Sequence, residues 1–171
     1  VGDRVCAEPL IPCKNCHMCQ RGSYNVCENL KVLGIHTDGA FREKIIVKEE
    51  MVHKIPENIS LEEAALIEPF SVALEVLRTR LSYEDTLCIF GMGTIGLCIL
   101  KGAKVINPQF IVAVDVIKEK LEFARKLGAD LTIDASKENV EEKIMNVTKG
   151  KGIEVIIEAS GSQNALMSAL K

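Results

Sequence analysis

Three features are absent from this sequence, and each absence excludes a class of function. Lysine and arginine total 21 against 24 aspartate and glutamate residues, which gives a net charge of -3 and no basic run. Because proteins that bind nucleic acids carry clustered positive charge, this balance argues against a nucleic-acid partner. The longest apolar stretches have the length of strands and are interrupted by glycine or charge, so we predict no membrane segment and no signal peptide.

Histidine is also scarce, whereas cysteine is abundant. The three histidines, His17, His36 and His53, are interpreted as exposed loop or surface residues. The seven cysteines are an odd number, and four of them fall in one short segment. This distribution favours a metal site in a reducing compartment over a disulfide framework, so we predict a cytoplasmic protein.

Four of the cysteines have the spacing of a structural zinc site. They are Cys13, Cys16, Cys19 and Cys27. Four soft thiolates on a short loop hold zinc in tetrahedral geometry and leave no position open for water or substrate. We therefore predict a zinc lobe over residues 13–27 that stabilises the loop and does no chemistry. The alternatives are an iron–sulfur cluster, for which the ferredoxin spacings differ, and unrelated buried cysteines.

The pattern of strands and helices divides the chain into residues 1–67 and residues 68–171. With 47% hydrophobic residues, the 171-residue chain can bury a core. The first part has the pattern of short antiparallel β segments, which we place at 3–10, 31–34, 41–47 and 51–55. The second part starts with a connecting helix and then alternates strand with helix. This alternation predicts an α/β fold with a parallel sheet, right-handed crossovers and helices on both faces.

A glycine-rich turn in the second part has the context of a dinucleotide site. Gly91, Gly93 and Gly96 follow a predicted strand and open a helix that includes Thr94 and Ile95. Gly91 permits a sharp turn, Gly93 has no side chain to block a pyrophosphate, and Gly96 lets the helix lie close to the sheet. The free N–H groups and the dipole of the helix would hold the phosphates. A purely structural glycine turn is the alternative.

Asp115 supports the cofactor interpretation. It ends the next predicted strand, nineteen residues after Gly96. A carboxylate near this distance binds the ribose 2′-hydroxyl of NAD, and it would repel the 2′-phosphate of NADP. Val116 and Ile117 add no basic residue that would reverse this preference, so we predict NAD.

Two further residues are weaker candidates for contact with the cofactor. Ser160 follows the fourth predicted strand, which places it on the cofactor side of a parallel sheet. Lys120 lies in the first turn after Asp115, where a hydrogen bond to the adenosine ribose and a solvated helix lysine are both open interpretations.

Glu68 is a candidate metal-site acid. Ser60 and Glu63 predict a capping box that starts a helix. Pro69 predicts a break before a second helix that continues to about Arg80. A carboxylate held between two apolar helices is costly unless a cation or a hydrogen-bond donor accompanies it. The alternative is a helix-start carboxylate that the helix dipole favours.

Taken together, these motifs resemble the zinc-containing medium-chain alcohol dehydrogenases, above all their polyol branch, the sorbitol and xylitol dehydrogenases. The resemblance covers nearly the whole chain and is carried by residues 2–5, 8–9, the four-cysteine lobe, 62–69, and 91–96 with Asp115. It implies part of a GroES-like antiparallel catalytic domain over 1–67 and part of a Rossmann NAD-binding domain over 68–171. It also implies that Glu68 ligates the catalytic zinc or holds its water or substrate, and that Ile95, Asp115 and Lys120 contact NAD.

The implied activity is NAD-dependent oxidation of a secondary alcohol, in a protein that forms dimers or tetramers. Threonine or another alcohol remains an alternative substrate, and a catalytically silent NAD-binding or zinc-stabilised interaction protein is an alternative of another class. The sequence lacks the cysteine and the histidine–glutamate pair that precede residues 2–5 in the family, and Glu75 stands where polyol enzymes often have histidine. We therefore expect an excerpt of a longer enzyme, inactive by itself.

Overall fold

The structure, a computed structural model, describes residues 1–170, which form two compact units. The first unit is Val1–Ile67, and the second begins at Glu68. Among the described helices, none combines the length and the apolar character that crossing a membrane requires.

The first unit contains two small antiparallel sheets. Strand β1 (Val5–Ala7) pairs with β4 (Val52–Lys54), and β2 (Leu10–Ile11) pairs with β3 (Lys31–Val32). A four-residue helix, α1 (His17–Gln20), lies in the loop between β2 and β3. The predicted antiparallel character of this unit is confirmed.

The predicted strand over residues 41–47 is wrong. This segment has no regular secondary structure, and within the described residues no strand pairs with it. The side chains of Phe41 and Ile46 are fully exposed. A segment rich in apolar residues forms a strand only when a neighbouring strand accepts its hydrogen bonds, and the sequence alone did not show that the described residues supply no such neighbour.

Two helices meet near the boundary between the units, but not where the proline predicts. The capping box is confirmed, because Ser60 Oγ accepts from Glu63 N at 3.1 Å and the Glu63 carboxylate accepts from Ser60 N at 2.8 Å. Helix α2 (Leu61–Ala64) ends after four residues, and α3 (Ile67–Arg80) begins before Pro69. A proline in the first turn of a helix needs no partner for its nitrogen, so Pro69 lies inside α3 instead of ending a helix.

The second unit is a four-stranded parallel sheet. Its strands are β5 (Thr86–Phe90), β6 (Phe110–Asp115), β7 (Leu131–Asp134) and β8 (Val155–Glu158), and their order across the sheet is β7-β6-β5-β8. The strands are joined by helices, which are α4 (Thr94–Ile106), α5 (Lys118–Lys126) and α6 (Val140–Val147), and α7 (Gln163–Ala169) follows β8. The predicted α/β fold is confirmed.

Alternate residues of the central strands bury two cores on opposite faces of the sheet. Leu87, Ile89, Ile111 and Ala113 belong to a core that includes residues of α3, α4 and α5. Their neighbours in the strands, Cys88, Phe90, Val112 and Val114, belong to a second core with residues of α6 and α7. A strand that is covered on both faces has a continuous apolar sequence, which is the pattern of β5 and β6.

The strand order places a crevice at the carboxyl end of β5. Strand β5 pairs with β6 on one side and with β8 on the other. The chain runs from β5 to β6 and β7 on one side and then returns to β8 on the other side of β5. Ligands of open α/β sheets bind where the strand order reverses in this way.

We predict that Ile111→Ala destabilises the second unit by about 2–5 kcal/mol, because the Ile111 side chain is completely buried between sheet and helices. Ile156→Ala on β8 is the matched control, because this side chain is 41% exposed and its truncation leaves no closed cavity. Urea denaturation followed by circular dichroism measures both changes. Equal losses of stability in the two variants would contradict the described core.

Candidate functional site

The four cysteines of the lobe converge on one point. Their sulfur atoms all lie within 4.8 Å of one another. The Sγ atoms of Cys13 and Cys19 are 4.0 Å apart, and those of Cys16 and Cys27 are 3.9 Å apart. Four sulfurs at about 2.3 Å from a tetrahedral zinc would be separated by about 3.8 Å, so the arrangement fits one zinc ion.

Backbone geometry holds this cluster together. Cys27 Sγ accepts hydrogen bonds from Cys13 N at 3.3 Å and from Asn29 N at 3.4 Å. Lys14 has a left-handed backbone with φ of 63°, which turns the chain between Cys13 and Cys16. N–H donors aimed at sulfur stabilise thiolates, which are the form that binds metal.

The pKa values of the cysteines differ with their surroundings. Hydrogen bonds from backbone N–H groups, first that of Asn15, lower the pKa of Cys13 to about 6, and the backbone N–H of Cys19 lowers the pKa of Cys16. Burial raises the pKa of Cys19 to about 12. A buried thiol of this kind ionises when a cation replaces its proton, so the full set of thiolates requires a metal.

The remaining cysteines and the histidines form no second metal group. Cys88 and Cys98 are buried in different cores, and burial raises the pKa of both thiols. His17, His36 and His53 are exposed, as the sequence predicts. Among the described residues, the four-cysteine cluster is the one group of three or more metal-binding side chains.

Each glycine of the predicted dinucleotide turn meets a different environment. Gly91 has a φ of +90°, and a Cβ atom there would lie 2.7 Å from the Ser160 backbone. A Cβ atom on Gly96 would lie 1.8 Å from the carbonyl oxygen of Gly91. A Cβ atom on Gly93 would meet nothing within 4 Å. Packing therefore requires glycine at 91 and 96, whereas Gly93 faces open space.

The open space at Gly93 lies at the start of α4. Gly93 is the N-cap of this helix and supplies no side-chain cap. The first helical hydrogen bond runs from Leu97 N to Gly93 O at 2.9 Å, and within residues 1–170 the N–H groups of Gly93, Thr94 and Ile95 have no acceptor. Unpaired N–H groups at a helix start, together with the helix dipole, form a site for an anion.

Asp115 lies beside this turn. Its carboxylate accepts from Met92 N at 2.6 Å, from Val116 N at 2.7 Å and from Ile117 N at 2.9 Å. A cavity of about 380 Å³ opens next to it, with Gly91, Asp115, Val116, Ala135, Ser160 and Asn164 among its lining residues. The structure thus brings Gly91, Asp115 and Ser160 of the predicted cofactor residues to one cavity.

Ser160 is held by its own loop. Its hydroxyl donates to the Glu158 carboxylate and accepts from Ser162 N at 3.0 Å. The hydrogen bond from this hydroxyl lowers the pKa of Glu158. The Ser160 backbone packs on Gly91, so its contribution to the cavity wall comes from its position more than from a free hydroxyl. Lys120, in the first turn of α5, does not line the cavity.

Glu68 is an exposed residue in the first turn of α3, not a buried acid at a break between helices. Because α3 already begins at Ile67, its position fits a carboxylate that the helix dipole stabilises. Its role as a zinc ligand stays a prediction.

Met92 and Glu158 contribute to the site but were not predicted from the sequence. The Met92 side chain is completely buried in the core beneath the turn. Glu158 fixes the loop that contains Ser160. An acid at the end of β8, as at the end of β6, is the signal that could have identified Glu158.

Comparison with known proteins agrees with this geometry. Residues 94–171 match the family model for zinc-binding dehydrogenase, and residues 1–57 match that for the alcohol dehydrogenase GroES-like domain. The chain belongs to the zinc-containing medium-chain alcohol dehydrogenase family. Both units of the chain are represented in the matches.

Three similar proteins illustrate the family. The chain is 40% identical to sorbitol dehydrogenase of Bacillus subtilis (strain 168), covering 99% of this chain and 49% of that protein. It is 37% identical to erythritol/L-threitol dehydrogenase of Mycolicibacterium smegmatis, covering 99% and 48%. A solved short chain alcohol dehydrogenase from Escherichia coli CFT073, complexed with NADH, has a TM-score of 0.92 and 37% identity over 99% of this chain and 50% of that one. The chain spans about half the length of the curated relatives it matches.

We predict that the purified chain contains about one zinc ion and that Cys19→Ser removes it, because three thiolates hold zinc less tightly than a closed set of four. Cys6→Ser is the control, since Cys6 lies outside the cluster. Elemental analysis by mass spectrometry gives the zinc content of each variant. Full zinc content in Cys19→Ser, or none in the unaltered chain, would contradict the site.

Proposed function

We propose that the second unit binds NAD and that the complete protein is a zinc-dependent dehydrogenase, which transfers a hydride from a secondary alcohol of a polyol to NAD. The observation that carries the proposal is the start of α4. There, the N–H groups of Gly93, Thr94 and Ile95 have no acceptor within residues 1–170, and the space next to Gly93 is open. The Asp115 carboxylate is hydrogen-bonded to the same turn through Met92 N.

The residues support a role for each part of the cofactor. The N–H groups of Gly93, Thr94 and Ile95 would receive the diphosphate, because Gly93 has no side chain in its path. The Asp115 carboxylate would accept from a ribose hydroxyl with the lone-pair site on Oδ2 that its three backbone donors leave free. Gly91 and Gly96 would shape the turn, and Ser160 would form its opposite wall.

Preference for NAD over NADP is supported by charge. On this proposal the Asp115 carboxylate would lie close to the 2′-phosphate of NADP, and like charges at short distance repel. Val116 and Ile117, which follow Asp115 directly, have exposed apolar side chains and offer no cation to a phosphate.

Two zinc sites are proposed for the complete protein. The four-cysteine lobe would hold a structural ion, since all four positions around the metal are filled by sulfur. Glu68 is the residue of this chain that we propose for the catalytic zinc site. There the ion, when bound, acts as a Lewis acid that favours the alkoxide of the substrate. On this proposal, residues 1–67 are part of the catalytic domain and residues 68–171 part of the NAD-binding domain, with Lys120 near the adenosine ribose.

A polyol substrate is supported by the relatives, which include dehydrogenases named for sorbitol and for erythritol. Threonine and other alcohols remain the alternative substrates. A cytosolic location, supported by the reduced thiols that the zinc lobe needs, and a homodimer or homotetramer belong to the same proposal.

We predict that Gly93→Ala weakens NAD binding at least tenfold and leaves the melting temperature unchanged. The added methyl group meets no protein atom but occupies the space of the diphosphate. Gly96→Ala is the contrasting variant, because its methyl group would overlap the Gly91 carbonyl and should lower the melting temperature. Calorimetric titration and thermal unfolding separate these effects. Unchanged NAD affinity in Gly93→Ala would refute the proposed phosphate site.

The activity is tested on the complete protein with NAD and a panel of sorbitol, xylitol, erythritol, threonine and simple alcohols. We expect NADH formation to be fastest with a polyol and to be abolished by a chelator that removes zinc. Preference for threonine would support the alternative substrate. Absence of turnover with every alcohol, despite bound NAD and zinc, would favour the catalytically silent protein.

A further inference from the structure

The Asp115 carboxylate is used by the protein itself before any cofactor arrives. One oxygen, Oδ1, accepts from Val116 N and Ile117 N, which follow Asp115 directly in the chain. The other, Oδ2, accepts from Met92 N at 2.6 Å, across twenty-three residues of sequence. This second bond joins the end of β6 to the middle of the glycine turn.

Met92 is fixed from two sides. Its side chain has no exposed surface and packs in the core between the sheet and its helices. Its N–H group points to Asp115, and the preceding N–H, that of Gly91, donates to Val114 O at 2.7 Å. The N–H groups of Gly91 and Met92 therefore have hydrogen-bond acceptors, whereas within residues 1–170 those from Gly93 onward in the turn have none.

The other strand-end acids of the sheet behave differently. Asp134, at the end of β7, accepts from Ser136 N and from Lys137 Nζ. Glu158, at the end of β8, accepts from Ser160 N and Gly161 N. Within residues 1–170, each of these carboxylates accepts hydrogen bonds only from the turn that follows its own strand. Asp115 also accepts one from the turn after β5.

We propose that Asp115 is a positioning residue for the diphosphate as well as the acceptor for the ribose: by holding Met92 N, it keeps the turn in the conformation that presents the Gly93, Thr94 and Ile95 N–H groups to an anion. This inference rests on the proposed NAD site and assigns Asp115 a role toward a part of the cofactor that it does not touch. Removal of Asp115 would leave Met92 N without its acceptor and take away one of the two restraints on the turn at Met92.

Asp115→Ala tests the positioning role with a ligand that has no ribose. It removes the acceptor of Met92 N and a negative charge together, and loss of the charge alone would strengthen the binding of an anion. Asp134→Ala is the matched control, because it removes a strand-end acid of the same sheet that does not contact the glycine turn.

The first readout is amide hydrogen exchange of Met92 in the cofactor-free chain. We expect Met92 to exchange at least tenfold faster in Asp115→Ala than in the unaltered chain, and at a nearly unaltered rate in Asp134→Ala. A residue that only binds ribose would not change this rate. Unchanged Met92 exchange in Asp115→Ala would overturn the proposal.

The second readout is titration with inorganic pyrophosphate, which has no ribose, followed by the amide chemical shifts of Gly93 and Thr94. We expect the dissociation constant to rise about tenfold in Asp115→Ala. Asp134→Ala should leave this dissociation constant unchanged. Equal pyrophosphate affinity in Asp115→Ala and the unaltered chain would overturn the proposal. If the unaltered chain bound neither NAD nor pyrophosphate, the NAD site itself would be refuted, and Met92 exchange would still decide whether Asp115 holds the turn.

Discussion

The second unit depends on the close approach of three backbone segments at the carboxyl end of β5. The Gly91 carbonyl touches the first turn of α4, and the Gly91 Cα atom faces the backbone of Ser160 after β8. No side chain fits in either contact. This constraint seats α4 against the sheet at the point where the strand order reverses. We propose that the anion site is a consequence of this packing and precedes any contact with a ligand.

The acids at the strand ends complete this arrangement. Parallel strands all end at the same edge of the sheet, where the following turns leave backbone N–H groups without partners. Asp115, Asp134 and Glu158 satisfy these groups with carboxylates. Charge at this edge therefore has a structural role, and of these three acids Asp115 also lines the cavity.

The first unit is built on a different principle. Its buried apolar residues among those described are few, namely Cys19, Cys27, Met51, Ile55 and Ala64, and two of them are cysteines of the zinc lobe. A core of this size contributes little hydrophobic stabilisation, so a metal that joins four chain positions would contribute a large share of the stability of this unit. The four-cysteine cluster can hold the segments of the first unit together through a metal, whereas the second unit is held together by apolar cores on both faces of its sheet.

Much of the second unit follows from its sequence, because apolar runs that end in glycine or an acid define buried parallel strands locally. Strand β5 ends directly before Gly91 and β6 ends at Asp115, as predicted, and the four predicted cysteines lie together in one cluster. Features that depend on distant partners did not follow. The segment 41–47 was predicted as a strand but has no neighbouring strand among the described residues, and Pro69 is accommodated inside α3. The bond between Asp115 and Met92 joins segments that are distant in sequence, so no local pattern encodes it.

We propose that the start of α4 is an anion site prepared by backbone packing. The most direct test is a crystal structure of this chain with NAD bound. We predict that the diphosphate lies within hydrogen-bond distance of the N–H groups of Gly93, Thr94 and Ile95, with the adenosine ribose on Asp115 and the turn unmoved. A diphosphate bound elsewhere, or an Asp115 carboxylate turned away from the ribose, would contradict it.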